Sequence, residues 1–320
     1  MLRWGVLGTS RIAEQKVIPA IVASSNGQIV AVSSGSGRAS EYAGRLGIPI
    51  AYDDHQALLA DPDIDAVYIP LPNSLHASWT IRAAEAGKHV LCEKPIALTP
   101  EELTAVESAC DAAGVQLAEA FMYRHHPQLD VVRSVITSGR IGRLVGIDAR
   151  FHFLLDPAAG PNIRLDPSLG GGALRDVGCY PIDLMNLLLG RAPSQVIALS
   201  TERGGVDTTT AGVLRYDTPD GPVVGSFSCG FDAPAGDSAL LIGSAGTIAI
   251  RRPFRPDRGG AAVIVTTSDG GIELLEPKGD SYLLEVESFA SHILSGKPDN
   301  ASRQLSRWTV ETTTRLATTL

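Results

Sequence analysis

The strongest constraint on the fold is an alternation of apolar, β-branched segments with amphipathic ones over residues 1–121. Strands are predicted at Leu2–Leu7, Gln28–Val32, Pro49–Tyr52, Ala66–Pro70, His89–Cys92 and Gln116–Glu119. Helices are predicted between them, at Arg11–Ser24, Ala39–Leu46, Ser78–Ala86 and Pro100–Ala113. Such alternation is typical of a parallel sheet covered on both faces. We therefore predict an α/β fold in which residues 1–121 form a doubly wound (Rossmann) domain.

The pattern changes after residue 121. Apolar and polar residues alternate over Ile147–Phe153, which indicates a strand with one face in water. Further short runs predict strands at Val196–Thr201, Ala211–Tyr216, Val223–Cys229, Ala239–Ile242, Thr247–Arg251 and Ala262–Thr267. Two amphipathic helices close the chain, at Tyr282–Leu294 and Ser302–Leu316. We predict an α+β domain over residues 122–320 with a large mixed or antiparallel sheet. Its open face is expected to pair copies of the chain into a homodimer or homotetramer.

Charge and cysteine usage narrow the class of partner. The net charge of -8 and the pI near 5.4 argue against nucleic acid or an anionic membrane as a partner. A basic run at Arg251, Arg252, Arg255 and Arg258 lies in a Pro/Gly-rich stretch, where we interpret it as a solvated loop rather than a phosphate site. The four cysteines form no CxxC pair. A reducing, cytoplasmic setting is therefore expected.

Neither a membrane segment nor a metal site is expected. No apolar stretch approaches the ~18 residues that a membrane span needs, and the first residues lack the pattern of a signal peptide. His125-His126 and His152 are candidate metal ligands, but no acid or cysteine stands at ligand spacing from them. We predict no metal.

The turn after the first predicted strand carries Gly8-Thr9-Ser10-Arg11-Ile12-Ala13. It departs from G-x-G-x-x-G, because Ser10 and Ala13 replace the second and third glycines. Gly8 still permits a tight turn, Ser10 is small enough for backbone approach to a pyrophosphate, and Ala13 allows close helix–strand packing. At the start of a strand–helix–strand series, this turn predicts a dinucleotide-binding site whose phosphates meet the helix N-terminus.

The end of the second strand indicates which dinucleotide binds. The run Ser33-Ser34-Gly35-Ser36-Gly37-Arg38 contains no acid, and the first carboxylate is Glu41. An acid here would bind the ribose 2′-hydroxyl of NAD and repel a 2′-phosphate. Hydroxyls with a cation suit the phosphate, so NADP is favoured while NAD stays possible.

Three later segments carry candidate chemical groups. Leu71-Pro72-Asn73 and His76 follow the fourth strand, and Glu93-Lys94-Pro95 follows the fifth, at the edge where doubly wound sheets bind ligands. Lys94 is either a catalytic cation or the partner of Glu93 in an ion pair. Three glycines at Gly170–Gly172 precede an apolar helix, in which Asp176, Tyr180 and Asp183 fall at i, i+4 and i+7. That polar stripe is either a catalytic face or the rim of the helix, and Pro181 leaves the register open.

These motifs together resemble the glucose–fructose oxidoreductase/inositol dehydrogenase/rhizopine-catabolism (Gfo/Idh/MocA) family over essentially the whole chain. The resemblance is carried by the segments at residues 8–13, 72–76, 87–95, 119–124 and 171–180. The branch it looks like contains NADP-dependent aldose (xylose-type) dehydrogenases, dihydrodiol dehydrogenases and nucleotide-sugar ketoreductases, which have tyrosine where inositol dehydrogenases have histidine. One departure is Ile163-Arg164, where the family often has Trp-Arg before the glycine loop.

The resemblance implies a role for each matching residue. It implies that Lys94 and Tyr180 are the catalytic pair and that Asp176 assists their orientation. Substrate contacts are expected from Lys94, Met122, Arg124, Tyr180 and Asp183. Cofactor contacts are expected from Gly8, Thr9, Ser10, Arg11, Ile12, Ser33, Ser34, Gly35, Ser36, Arg38, Leu71, Pro72, Asn73, His76, Glu93, Lys94 and Arg164.

The implied reaction is hydride transfer between a nicotinamide cofactor and a CH–OH or C=O group of a small sugar, polyol or diol. Tyrosine has an ordinary pKa of about 10 and is a poor base at neutral pH, but an ammonium group beside it stabilises the phenolate. Two alternatives use the same scaffold. One is a nucleotide-sensing regulator without catalysis, and the other is a glycosidase that oxidises its substrate transiently with NAD.

Overall fold

The computed structural model describes residues 1–156, 160 and 162–320. They form two compact units, one of Met1–His125 with Tyr282–Gln304 and one of His126–Ser281 with Leu305–Leu320. The sequence assigned both C-terminal helices to the second domain, whereas the structure packs residues 282–304 with the first unit. The domain boundary between residues 121 and 122 stays a prediction.

A six-stranded parallel sheet forms the core of the first unit. Its strand order is β3-β2-β1-β4-β5-β6, in which the direction of winding reverses between β1 and β4. The strands are β1 (Leu2–Leu7), β2 (Gly27–Ser33), β3 (Ile50–Tyr52), β4 (Ala66–Ile69), β5 (His89–Glu93) and β6 (Leu117–Ala120). This confirms the predicted doubly wound sheet. Ligands of such sheets bind at the carboxyl ends of the strands beside the reversal point.

The helices of residues 1–125 connect these strands. They are α1 (Ile18–Ala23), α2 (Ala39–Leu46), α3 (His55–Leu59), α4 (His76–Glu85) and α5 (Pro100–Ala113). The amide of Glu102 donates to Thr99 Oγ1 at 3.2 Å, so Thr99 caps α5 as its sequence position suggests. The helix predicted over residues 11–24 contains a π-helical turn at Ala13–Val17 before α1.

The second unit is built on an eight-stranded mixed sheet in the order β14-β13-β12-β11-β7-β10-β9-β8. The strands are β7 (Leu144–Leu154), β8 (Gln195–Arg203), β9 (Val206–Thr218), β10 (Gly221–Gly230), β11 (Asp232–Gly243), β12 (Gly246–Arg251), β13 (Ala262–Thr267) and β14 (Ile272–Leu275). Only β7 and β10 pair in parallel; the other neighbours are antiparallel. This confirms the predicted mixed sheet, although the exposed, short β14 was not predicted.

Four helices complete the described chain. They are α6 (Gln128–Thr137), α7 (Cys179–Leu189), α8 (Ser281–Ser295) and α9 (Asn300–Ala317). In the first unit, the Phe289 ring of α8 lies 5.5 Å from the Trp4 ring of β1. The backbone amide of Ser25 also donates to Glu287 Oε1 at 2.8 Å. Burial of these aromatic surfaces explains why α8 joins the parallel sheet.

Candidate functional site

The turn after β1 adopts a backbone conformation that favours glycine. Gly8 has φ of +111°, and a Cβ there would lie 3.2 Å from Leu71 Cδ2. The Gly8 amide donates to the carbonyl of Ser33 at 2.8 Å. These contacts bring together the ends of β1, β2 and β4, which are three of the segments predicted to contact the cofactor.

Ser10 starts the helix that follows. The amide of Ala13 donates to Ser10 Oγ at 3.2 Å, so the hydroxyl caps the helix whose first residues are Arg11 and Ile12. Ala13 is fully buried, which agrees with its predicted role in close helix–strand packing. The Tyr42 hydroxyl donates to the Ser10 carbonyl at 3.2 Å and further fixes the turn.

The hydroxyl of Thr9 shows that the turn fits a phosphate ligand. Its Oγ1 is buried and has no hydrogen-bond partner among the described residues. Buried hydroxyls are nearly always satisfied, so this group and the helix N-terminus beside it offer donors to an incoming anion. The residues from Gly8 to Ile12 therefore fit the pyrophosphate of a dinucleotide.

A chain of hydroxyls lies at the end of β2. Ser34 Oγ and Ser36 Oγ are 2.9 Å apart, and the Nε of the exposed Arg38 donates to Ser36 Oγ at 2.9 Å. Gly35, between the two serines, has open space where its Cβ would be. Ser33 differs, because its buried hydroxyl lies 2.7 Å from His55 Nδ1 inside the first unit. Gly35, Ser36 and Arg38 are exposed here, whereas Ser34 is buried and supports Ser36 through its hydroxyl.

His76 joins the loops after β4 and β5. Its Nδ1 lies 2.7 Å from the Pro95 carbonyl and its Nε2 lies 2.7 Å from the Leu71 carbonyl. Burial, with the nearby charge of Lys94, lowers the pKa of His76, while the two carbonyls act in the opposite direction. Since both ring nitrogens face backbone carbonyls, His76 holds the loops that carry Pro72, Asn73 and Lys94. The predicted contact of His76 with the cofactor stays a prediction.

Glu93 and Lys94 stand at the end of β5. Glu93 Oε1 accepts a 2.6 Å hydrogen bond from the Tyr68 hydroxyl, and Glu93 Oε2 accepts one of 3.3 Å from the Lys94 backbone amide. Burial and the Glu93 carboxylate raise the pKa of Tyr68 well above its ordinary value, so Tyr68 stays a donor. The Lys94–Pro95 peptide bond is cis. Glu93 is thereby engaged by Tyr68 and the backbone, and the half-buried Lys94 lies at the carboxyl edge of the sheet.

Met122 and Arg124, both predicted to contact substrate, pack inside the first unit. Met122 is buried. The Arg124 guanidinium lies 4.4 Å from the centre of the Phe121 ring and 3.7 Å from Glu119 Oε2, and Arg124 Nη1 donates to Ser302 Oγ at 3.2 Å. These contacts give Arg124 a structural role in the unit whether or not it also touches substrate.

In the second unit, Arg164 and Asp176 form a close ion pair. Arg164 Nε donates to Asp176 Oδ2 at 2.6 Å, and the guanidinium lies 5.6 Å from the centre of the Phe153 ring. The Asp176 side chain is largely buried, whereas that of Arg164 is 39% exposed. Asp176 is therefore held in one orientation by a charge-assisted hydrogen bond.

The glycines between these two residues serve the chain's own folding. A Cβ at Gly171 would lie 2.6 Å from the Arg164 carbonyl, and one at Gly172, where φ is +112°, would lie 2.3 Å from Asp207 Oδ1. The Gly172 amide donates to the Arg164 carbonyl at 2.9 Å. The sequence suggested close approach of a flat ligand; the described contacts show close approach of the Arg164 segment and Asp207.

Tyr180 is held by two phenylalanine rings. Its ring centre lies 5.2 Å from that of Phe151, edge to face, and 5.5 Å from that of Phe254. Tyr180 is the second residue of α7, directly after a π-helical turn at Leu174–Gly178 that contains Asp176. Such turns are frequent at functional sites. Sequence reasoning missed both phenylalanines as neighbours of Tyr180, although the alternation in β7 indicated that Phe151 faces inward.

Asp183 is buried in the core of the second unit. It is fully buried, and its Oδ2 accepts a 3.0 Å hydrogen bond from the Thr309 hydroxyl. Thr309 Oγ1 also lies 3.4 Å from Asn186 Nδ2. The predicted contact of Asp183 with substrate stays a prediction, while its described hydrogen bond is part of the core.

Two family models match the chain. Residues 2–121 match an oxidoreductase family with an NAD-binding Rossmann fold, and residues 130–249 match the GFO/IDH/MocA C-terminal domain. The chain belongs to the Gfo/Idh/MocA oxidoreductase family. This confirms the resemblance carried by its motifs.

Three named relatives match between 80% and 99% of the chain. D-xylose 1-dehydrogenase (NADP(+)) 2 of Haloferax volcanii is 41% identical, covering 95% of this chain and 92% of that protein. Trans-1,2-dihydrobenzene-1,2-diol dehydrogenase of Mus musculus is 31% identical over 80% of this chain and 76% of that protein. The crystal structure of a 3-ketoreductase from Actinomadura kijaniata with NADP and TDP-benzene has a TM-score of 0.91 at 30% identity. It covers 99% of this chain and 97% of that one.

These matches establish the enzyme class of this Gfo/Idh/MocA protein. It is an NAD(P)-dependent oxidoreductase, as its sequence predicts. Within the described part of the chain, no helix has both the length and the apolar character to cross a membrane. No group of three or more His, Cys, Asp or Glu side chains there is arranged to hold a metal ion.

Proposed function

We propose that the protein transfers a hydride between NADP(H) and a CH–OH or C=O group of a sugar, polyol or diol. The observation that carries this proposal is the position of Lys94. It follows β5 at the carboxyl edge of the sheet that presents the phosphate-binding turn, within the same unit. The relatives that act on xylose, on a dihydrodiol and on keto-sugars support the substrate class.

Tyr180 is the proposed proton carrier. When bound, the nicotinamide cofactor supplies the hydride chemistry. Tyr180 exchanges the hydroxyl proton of the substrate through its phenol oxygen, while its ring is kept in place by Phe151 and Phe254. The family resemblance implies that the Lys94 ammonium stabilises the negative charge that develops on oxygen. Asp176, held by Arg164, orients the reacting groups from its position one helical turn before Tyr180.

NADP is the proposed cofactor, with NAD as a weaker substitute. The support comes from Ser34, Ser36 and Arg38, which lie together at the end of β2 with two hydroxyls and one guanidinium. A guanidinium forms strong, paired hydrogen bonds with a phosphate. The xylose dehydrogenase and the 3-ketoreductase among the relatives use or bind NADP.

The test is turnover by two variants. The purified protein is assayed with a panel of aldoses, polyols and diols, and reduction of NADP is followed by absorbance. Tyr180→Phe and Lys94→Ala should each lower kcat by about 100-fold to 10,000-fold while NADP binding, followed by fluorescence, is retained. Tyr216→Phe is the matched control, because Tyr216 is a buried tyrosine of the same unit whose hydroxyl donates to Asn186. Full activity in both Tyr180→Phe and Lys94→Ala would contradict the assignment.

We also propose that the protein is a homodimer or homotetramer. Apolar side chains are exposed on one face of the mixed sheet, where Ile197 pairs directly with Val213 and where Leu199 and Leu240 are 78% and 38% exposed. Exposed apolar patches of this kind mark interaction surfaces. Leu199→Arg should shift the sedimentation coefficient toward that of a monomer if this face pairs two copies.

The cytoplasm is the proposed compartment. All four cysteines are buried free thiols, which is the usual state in a reducing environment. The net charge of -8 supports a small-molecule substrate rather than nucleic acid.

A further inference from the structure

A cavity of about 870 Å³ lies within the second unit, and its described lining contains none of the residues predicted to bind cofactor or substrate. It is bounded by the end of β7, the start of β11 and the loop between β12 and β13. Its volume falls within the range of ~300–1,000 Å³ that small-molecule sites occupy. The cavity therefore has room for a ligand of the size of a sugar with a substituent.

The wall of this cavity is strongly basic. Five arginines line it, against two carboxylates, Asp237 and Glu276. The arginines are Arg150, Arg251, Arg252, Arg255 and Arg258. A local excess of three positive charges stands out in a chain whose net charge is -8. Such a concentration of one sign in a concave surface attracts anions.

Three of these cations keep their charge available. Arg251, Arg252 and Arg258 form no ion pair with any described residue, whereas Arg255 pairs with Asp257 at 2.9 Å. The Arg252 guanidinium packs against Gly259, since a Cβ at that glycine would lie 2.8 Å from Arg252 Nη1. The loop thus presents guanidinium groups to the cavity, where they outnumber the carboxylates of Asp237 and Glu276. Arg251, Arg252 and Arg258 are exposed, as expected for a solvated loop, and they also converge on one cavity.

The cavity adjoins the residues proposed to act on substrate. Phe151 and Phe153, two residues apart on the inward face of β7, both line it. Phe151 also contacts the ring of Tyr180 at 5.2 Å, and Phe153 lies under the guanidinium of Arg164 at 5.6 Å. Phe151 therefore contacts both the cavity and Tyr180, and Phe153 contacts both the cavity and Arg164.

We propose that this cavity is a phosphate-recognition subsite, so that the substrate is a sugar carrying a phosphoryl group. The inference rests on the proposed function and specifies its substrate. Guanidinium forks bind phosphate oxygens in pairs, and several converging forks select a phosphate over a neutral hydroxyl. The phosphoryl group can belong to a sugar monophosphate or to a nucleoside diphosphate sugar, since both offer the same oxygens to the arginines.

The test compares neutral and phosphorylated sugars. The wild-type protein is assayed with glucose, xylose, glucose 6-phosphate and thymidine diphosphate glucose. At least one phosphorylated sugar should have a KM about tenfold or more below that of its neutral parent. Whether glucose 6-phosphate or thymidine diphosphate glucose has the lower KM identifies the source of the phosphate. The variant R251Q/R258Q should remove this advantage and leave the KM for glucose and xylose unchanged. Arg133→Gln is the control, because Arg133 is exposed on α6 in the same unit and does not line the cavity.

Direct binding separates this proposal from the proposed function. Calorimetry with inorganic pyrophosphate should show binding to wild type and Arg133→Gln and not to R251Q/R258Q, even if no sugar is turned over. Pyrophosphate binding in this pattern without turnover of any sugar would support the subsite and contradict the proposed function. Turnover of neutral sugars with no phosphate advantage and no pyrophosphate binding would overturn the subsite alone. A change in sedimentation of R251Q/R258Q without loss of pyrophosphate binding would also overturn it and make the cavity a contact between copies of the chain.

Discussion

Arg164 Nε lies 2.6 Å from Asp176 Oδ2, and this pair joins the two ends of the segment that contains Gly170–Gly172 and leads into the helix that carries Tyr180. Asp176 belongs to the π-helical turn that leads directly into α7. Its carboxylate is largely buried, so its orientation depends on the partner that neutralises its charge. Arg164 is therefore expected to influence catalysis by positioning Asp176.

Replacing Arg164 by lysine should weaken that positioning. Lysine keeps the charge but has no Nε–H at the required place, so Arg164→Lys should lower kcat about tenfold with a smaller change in stability. The matched control is Arg215→Lys, which alters the exposed pair in which Arg215 Nε lies 2.9 Å from Asp217 Oδ1. Equal kcat values for wild type and Arg164→Lys would show that Asp176 needs no anchor.

Arg38 should determine the choice between NADP and NAD. Arg38→Ala removes the only cation of the hydroxyl cluster at the end of β2, so kcat/KM for NADP should fall about 10-fold to 100-fold while that for NAD stays the same. Arg45→Ala is the control, since Arg45 lies on α2, which begins directly after Arg38, and pairs with Glu14. A parallel loss with both cofactors would argue against a 2′-phosphate contact.

Two glycine substitutions should act in opposite directions. Gly8→Ala places a Cβ at φ of +111° and 3.2 Å from Leu71 Cδ2, so it should destabilise the fold by about 1–2 kcal/mol and weaken cofactor binding. Gly44→Ala adds a Cβ with no atom within 4 Å, in an exposed position of α2, and should stabilise by about 1 kcal/mol. Urea unfolding with and without NADP measures both. If Gly8→Ala leaves the free energy of unfolding unchanged, the turn can relax around the added Cβ without cost.

Stability should decrease as the pH falls below about 6.5, because burial lowers the pKa of several histidines. Burial and the charge of Arg124 lower the pKa of His125 to about 4. Well above pH 6.5 these rings are neutral in both the folded and the unfolded protein. Below pH 6.5 the unfolded chain binds more protons than the folded one. The free energy of unfolding therefore falls with pH until the pKa of the folded state is reached. Urea unfolding between about pH 7 and about pH 5 should show this slope, and His125→Gln should reduce it. An unchanged slope would exclude His125 as a contributor.

Much of the first unit could be predicted from local pattern. The strand at Leu2–Leu7 and the helices at Ala39–Leu46 and Pro100–Ala113 have the predicted ends. Their ends are encoded nearby, as in the cap at Thr99 and the left-handed glycines Gly47 and Gly114. The short α3 and the edge strand β14 were missed, because segments of four or five residues show too few turns or alternations to define a period.

In the candidate site, too, some residues could be predicted from the sequence and others only became visible in the structure. Gly8, Ser34, Arg38 and Lys94 could be proposed from sequence because each follows a strand at the edge where ligands bind, and their contacts with a cofactor or substrate stay predictions. The use of His76 to join two loops was not visible, since its partners are backbone carbonyls that any residue supplies.

By itself, the sequence determined the order of the strands and helices, the phosphate-binding turn and the family, because these depend on neighbours along the chain. Only the tertiary structure decided that Phe151 and Phe254 enclose Tyr180, that Asp183 meets Thr309, 126 residues away, and that Arg150 of β7 joins the arginines of residues 251–258 around one cavity. The physical reason is that burial and charge act between side chains brought together by folding. Their separation in the sequence carries no record of their distance in space.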